Sequence, residues 1–144
     1  MLVSTLLQSK GRSVVTVEPG TDVRALLALL QEHRIGAVVV SSDGVRVEGI
    51  VSERDVVRGL ASDGADVLGR PVSSIATRDV HTADPTMTLE GLMRLMTDRR
   101  VRHVPVVVDG TLRGIVSIGD VVKHRIVELE DERAALTDYI STAR

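Results

Sequence analysis

Ser52 and Asp55 stand three residues apart in GIVSERD (residues 49–55), and Ser117 and Asp120 repeat that spacing in GIVSIGD (residues 114–120). Each pair follows a short β-branched run, so each Ser falls where a strand ends and a helix begins. Two kinds of chemistry suit that placement. In one, Ser is a helix N-cap and Asp its N3 partner, a capping box worth about 1 kcal/mol and nothing beyond stability. In the other, the helix start presents unpaired N–H groups at a positive dipole end, which attracts an anion. Ser then adds a donor to a phosphate, and Asp accepts from the hydroxyls of a ribose. Small and β-branched neighbours hold a purine face without aromatic stacking, and Gly49 and Gly114 let backbone approach closely. Together these features make an adenosine-nucleotide site. The local spacing leaves both readings open.

The elements that must position these residues are themselves repeated. Residues 14–60 align with residues 80–126. Thr16 matches Thr82, Pro19 matches Pro85, Leu26 matches Leu92, Arg34 matches Arg100 and Val38 matches Val104. Asp43-Gly44 matches Asp109-Gly110, and the lead-ins agree too: Val3, Ser4 and Leu6 resemble Val72, Ser73 and Ile75. Self-similarity of this extent identifies the structural unit. Each unit reads β-α-β-β-α. A β-rich piece (14–17; 80–83) ends at a Pro. A helix follows, capped by Thr21 or Asp22 in one half and by Thr86 or Thr88 in the other. Its apolar stripe is Val23, Leu26, Leu27 and Leu30, or Leu89, Leu92, Met93 and Met96, at helical spacing. A buried strand (37–40; 104–108) then turns at Asp-Gly into a hairpin whose second strand ends at Val51 or Val116.

The expected organisation is a first repeat over 1–61, a turn-rich link over 62–71, a second repeat over 72–126 and a helical extension over 127–144. Val122, Ile126, Leu129, Leu136 and Ile140 sit three, four or seven apart, which predicts one long amphipathic helix over 118–141. Its apolar stripe packs either on its own domain or on a partner subunit.

Composition removes several function classes. The 144 residues include no Phe and no Trp, and Tyr139 is the only aromatic, so the core is aliphatic and base-stacking platforms are excluded. A net charge of −2 gives no pull toward nucleic acid or anionic membrane. Cysteine is absent. No signal peptide and no membrane-spanning run is evident, so a cytoplasmic protein is expected. His33, His81, His103 and His124 have no metal spacing. No nucleophile elbow, Walker loop or zinc motif is present, so no catalysis and no required cofactor are expected. Arg99 and Arg100 read as a solvated helix end.

GIVSERD and GIVSIGD, with RHVPVVVDG upstream of the second, resemble a tandem pair of cystathionine-β-synthase (CBS) domains, a Bateman module of the stand-alone bacterial type. The resemblance covers essentially the whole chain. It implies an α/β (α+β) fold of two β-α-β-β-α repeats packed through their sheets about a pseudo-twofold axis, with two clefts between them. It also implies binding of AMP, ADP, ATP or NAD, no catalysis, a homodimer and an unidentified target protein in trans. The residues carried over for one site are Thr16, Gly36, Ala37, Val38, Ser52, Arg54 and Asp55. Those for the other are Thr82, Arg102, His103, Val104, Pro105, Ser117 and Asp120. Asp55 and Asp120 match the family's ribose acceptor. Arg102 and His103 favour the second half for the phosphate charge, where the first half has Gly36 and Ala37, while Arg54 with Arg34 keeps the first site open as well. The alternative is a ligand-independent dimeric scaffold in which the Ser–Asp pairs are only helix caps.

Overall fold

A computed structural model describes residues 1–11 and 14–143. Along the chain run α1 (Val3–Lys10), β1 (Thr16–Val17), α2 (Val23–His33), β2 (Ala37–Val40), β3 (Gly49–Ser52) and α3 (Glu53–Asp63). Two short 3₁₀ helices (Gly64–Gly69 and Val72–Ser74) lead to α4 (Leu89–Arg99), β4 (His103–Val108), β5 (Thr111–Ser117) and α5 (Ile118–Thr142). The result is a mixed α/β fold with two small sheets and a long final helix.

The repeat in the sequence becomes a repeat in space. Asp22 caps α2 and Thr88 caps α4, each accepting from the N–H three residues on. The stripes bury Val23, Leu26 and Leu30 in α2 and Leu89, Leu92 and Met96 in α4. Both helices end on an arginine in the left-handed region, Arg34 and Arg100. β2 pairs antiparallel with β3 and parallel with β1, and β4 pairs antiparallel with β5. Where the first sheet has β1, the second has only a parallel bridge from Ala83 to Val106.

The lead-in segments are exchanged between the halves. Val3 and Leu6 of α1 lie in the core built by Leu89, Leu92, Val104 and Val116. Val72, with Ile75 and Ala76 beside it, lies in the core built by Val23, Leu26, Val38 and Val51. Equivalent hydrogen bonds fix both exchanges. Val3 and Ser4 donate to Met87 O and Pro85 O, each at 2.9 Å, and Val72 and Ser73 donate to Thr21 O and Pro19 O at 2.7 and 3.1 Å. A Cβ on Gly114 would stand 2.6 Å from Leu7 Cδ2, so the leucine side chain of α1 occupies the space that a side chain at residue 114 would take.

One local feature differs from the sequence expectation. The hairpin at Asp109-Gly110 is tight, with positive φ at both residues, as a type I′ turn requires. The Asp43-Gly44 turn instead sits in a loop over 41–48, where Asp43 Oδ1 accepts from Val45 N, Arg46 N and Ser41 Oγ, Ser41 Oγ accepts from Gly44 N, and Glu48 accepts from Ser42 N and Ser42 Oγ. The turn-rich link is packed onto α3. Val67 of its 3₁₀ helix is fully buried, and a Cβ on Gly59 of α3 would meet Val67 Cγ2 at 2.8 Å.

α5 is one helix of 25 residues, as its periodicity predicts. Val121 is buried, and every described residue from Leu129 onward is exposed. Among the described residues, no helix is long and apolar enough to cross a membrane.

Candidate functional site

In each half the inner strand starts beside the capping serine: Ala37 pairs with Ser52 and His103 with Ser117. The first N–H of the next helix reaches back across that pair. Glu53 N–H donates to Gly36 O at 2.9 Å, and Ile118 N–H donates to Arg102 O at 2.8 Å. Residues 36–37 and 102–103 therefore stand at the heads of α3 and α5.

Both Ser–Asp pairs form complete capping boxes. Asp55 Oδ2 accepts from Ser52 N at 2.8 Å and from Ser52 Oγ at 3.1 Å. Asp120 Oδ2 accepts from Ser117 N at 2.9 Å, while Ser117 Oγ accepts from Asp120 N at 3.1 Å. Capping leaves Asp55 Oδ1 without a partner among the described residues, so the carboxylate can cap its helix and still accept another hydrogen bond.

A cleft of about 380 Å³ opens at the head of α3. Ser52, Arg54, Asp55 and Arg58 line it from one side, with Gly36 and Ala37. Arg100, Arg102, His103 and Ser117 line it from the other half. An adjoining cleft of about 300 Å³ holds Asp120 with Lys10 and Arg34, and shares Gly36, Ala37, His103 and Ser117 with the first. The sequence divides candidate residues by repeat, whereas space divides them by cleft: Arg102 and His103 stand opposite the Ser and Asp of the other half. Val38, Val104 and Pro105 are buried and line neither cleft. Thr82 borders a separate cavity beside the Asp109-Gly110 turn, and Thr16 lies on β1 pairing with Val39, outside both clefts.

The two acids have different surroundings. Lys10 Nζ donates to Asp120 Oδ2 at 2.6 Å and to Ile115 O at 2.7 Å. Burial pushes the Asp120 carboxyl up, but the Lys10 and Ser117 hydrogen bonds outweigh it and hold the group below its ordinary range. Asp55 has no cation within ion-pair distance among the described residues.

His103 is held below its ordinary value by burial first and by the Lys10 charge second, against the opposing pull of Asp120 and Glu53. Its neutral form is therefore favoured by folding. That contribution to stability is complete above the unfolded value of about 6.5 and is lost as pH falls through the lower folded value. Urea unfolding at pH 7.5 and pH 5.0 is expected to show a loss on acidification that is smaller in His103→Gln. An equal loss in both proteins would remove His103 from the account.

Arg58, Arg100 and Lys10 escaped the sequence reading. Arg58 carried a signal, since it lies four residues after Arg54 and so on the same helix face. Arg100 reads in sequence as a solvated helix end, yet with its left-handed backbone it lines the cleft. Lys10 has no equivalent in the second repeat that would have drawn attention to it.

Two repeats of one helix-and-hairpin unit, each with a Ser–Asp helix cap, facing one another across a cleft, define the class. The chain belongs to the CBS domain family, whose pattern it matches over residues 10–62 and 72–126. It is similar to a crystallised CBS-domain-containing protein from Agrobacterium tumefaciens, with 48% identity and a TM-score of 0.83 over 87% of this chain and 99% of that one. A CBS domain-containing protein of Bacillus subtilis is 29% identical over 136 residues, 94% of this chain and 95% of that protein. A CBS domain protein from Pyrobaculum aerophilum, crystallised in complex with AMP, is 30% identical with a TM-score of 0.78 over 90% of this chain and 97% of that one.

Proposed function

We propose that this chain is a non-catalytic regulatory module that binds an adenosine nucleotide in the cleft at Asp55 and passes its occupancy to a partner protein. The observation that carries this reading is the cleft itself. One wall offers the Ser52–Asp55 helix head with a spare carboxylate oxygen, and the other offers arginines from the second repeat. Asp55 Oδ1 is the acceptor for ribose hydroxyls. Ser52, Arg54, Arg102 and the backbone at Gly36 surround the phosphate and base. AMP in the Pyrobaculum relative supports an adenosine ligand here. A ligand that touches both repeats favours one arrangement of the cleft over others, and that difference is the signal.

The module acts as a homodimer through α5. Val122, Leu129 and Leu136 take one position of a heptad, and Ile126, Arg133 and Ile140 take the other. This is the pattern of a parallel two-stranded coiled coil, with a single polar residue that fixes register. All five apolar residues are exposed, Leu136 to 61% and Ile140 to 56%. A second copy of α5 presents the matching stripe.

Thermal denaturation with AMP, ADP, ATP and NAD tests the nucleotide reading. A ligand at about 100 times its dissociation constant adds about 2.7 kcal/mol of stability. The rise in Tm is expected to disappear in Asp55→Asn, which keeps the shape of the acid, while circular dichroism stays unchanged. The scaffold alternative draws on the fact that both Ser–Asp pairs are satisfied as caps within the chain. It predicts no rise with any nucleotide, and that outcome would replace the sensor reading with it.

A further inference from the structure

Arg125 of α5 stands among three carboxylates and holds none of them closely. Its guanidinium lies 3.4 Å from Glu90 of α4, 3.5 Å from Glu128 and 3.9 Å from Glu132. Charge-assisted N–H···O bonds run at about 2.7–2.9 Å, so all three contacts are long. Glu90 and Glu132 are also mostly exposed, and water competes for them. A better-placed acid can therefore draw the guanidinium away at little cost.

Glu130 is an acid without a cation. It is exposed and, among the described residues, has no Lys, Arg or His nitrogen within 4.0 Å. It follows Leu129 in the apolar seam of α5, whereas Arg125 precedes Ile126, so the two flank the seam on opposite sides. Five residues apart on one helix, they are not neighbours. Between two helices they become so. In a parallel pair, the residue before one seam position faces the residue five further on in the other helix, and such flanking charges set partner and orientation. Arg125 of each copy then faces Glu130 of the other, twice per dimer by symmetry. In an antiparallel pair like flanks meet. About the middle of this seam that sets Glu130 against Glu130 and Glu132 against Glu132, which repel.

Parallel pairing also acts inside each chain. Among the described residues, Arg125–Glu90 is the one ion pair between α5 and α4. A guanidinium turned toward a second copy leaves Glu90.

We propose that Arg125 is shared between Glu90 of its own α4 and Glu130 of a second copy, so that a parallel α5 dimer gains two Arg125–Glu130 pairs and in forming them loosens the tie between α5 and α4. This inference rests on the α5 dimer read above and adds the contacts that orient it and a competition between dimerisation and the packing of α5 on α4.

Sedimentation velocity on the full chain tests it. Glu130→Arg sets like charges against each other twice per dimer and is expected to raise the dimer dissociation constant about tenfold at low salt, the gap closing at high salt. Glu130 has no ion pair within the chain to lose, so Tm is expected to stay unchanged. Arg125→Glu is expected to weaken pairing similarly. The two changes together reverse both charges and are expected to bring affinity back to within about threefold of wild type. Glu90→Gln releases Arg125 and is expected to tighten the dimer about threefold. Circular dichroism checks the helix in each variant. Glu130→Arg and Glu90→Gln keep Arg125 in place, so they decide the matter even where Arg125→Glu disturbs the fold. A Glu130→Arg chain as tightly dimeric as wild type, a well-folded combined variant that fails to recover, or unchanged affinity in Glu90→Gln would overturn the inference and leave the α5 dimer standing. A wild-type chain found only as a monomer would overturn both.

Discussion

Leu6→Ala is expected to lower the unfolding free energy by about 2–5 kcal/mol, the usual cost of emptying a fully buried leucine site. The unusual part is where the loss falls. Leu6 is completely buried, yet its neighbours are Leu89, Leu92, Met96 and Val116 of the second repeat. Amide exchange is therefore expected to quicken in α4, β4 and β5, while α2, β2 and β3 stay protected. Removing residues 1–9 takes Val3 as well and should expose the same elements further. Loosening confined to the first repeat would contradict the exchanged arrangement. The converse position is Val72, fully buried against Val23 and Leu26, whose truncation should loosen the first repeat instead.

Leu129→Glu is expected to turn a dimer into a monomer without harming the fold. Leu129 sits mid-seam on α5 and is 48% exposed within one chain, so it belongs to neither core. Burying one leucine side chain contributes about 1.5–3 kcal/mol, and a symmetric dimer loses it twice. The dissociation constant should rise at least about 100-fold. Sedimentation velocity reads the change, and circular dichroism confirms that the helix survives. Arg133→Ile should act in the opposite sense, because it completes the apolar seam and removes the one charge there. A wild-type chain that sediments as a monomer at every concentration would dismiss the α5 dimer.

Much of this molecule is legible in its sequence because periodicity reports which face of an element is buried. The stripe Val23, Leu26, Leu30 and its counterpart Leu89, Leu92, Met96 gave both repeat helices, and Ser52 and Ser117 gave the starts of α3 and α5. Periodicity does not say which core receives that face. Val3 and Leu6 align with Val72 and Ile75, but alignment states equivalence and not destination, so the exchange was invisible. The same limit applied at the cleft. Arg102 and His103 were recognised, yet their placement opposite Asp55 depends on how two repeats meet. The Asp43-Gly44 turn misled for a local reason, since the side chain of Asp43 takes up the N–H groups that a hairpin ladder would use.

The exchanged lead-ins also dictate the order in which the chain can be completed as it is made. α1 precedes every other element, but its binding surface is not finished until Val116 and Val121 have been added. Throughout that interval Val3 and Leu6 have no native shelter. The first core, for its part, must wait for Val72 before it closes. Contacts of such wide sequence separation slow folding, and unsheltered apolar helices invite association between nascent chains. Neither repeat is then a self-sufficient folding unit, and a gene cut between them should yield two insoluble fragments that become soluble when made together.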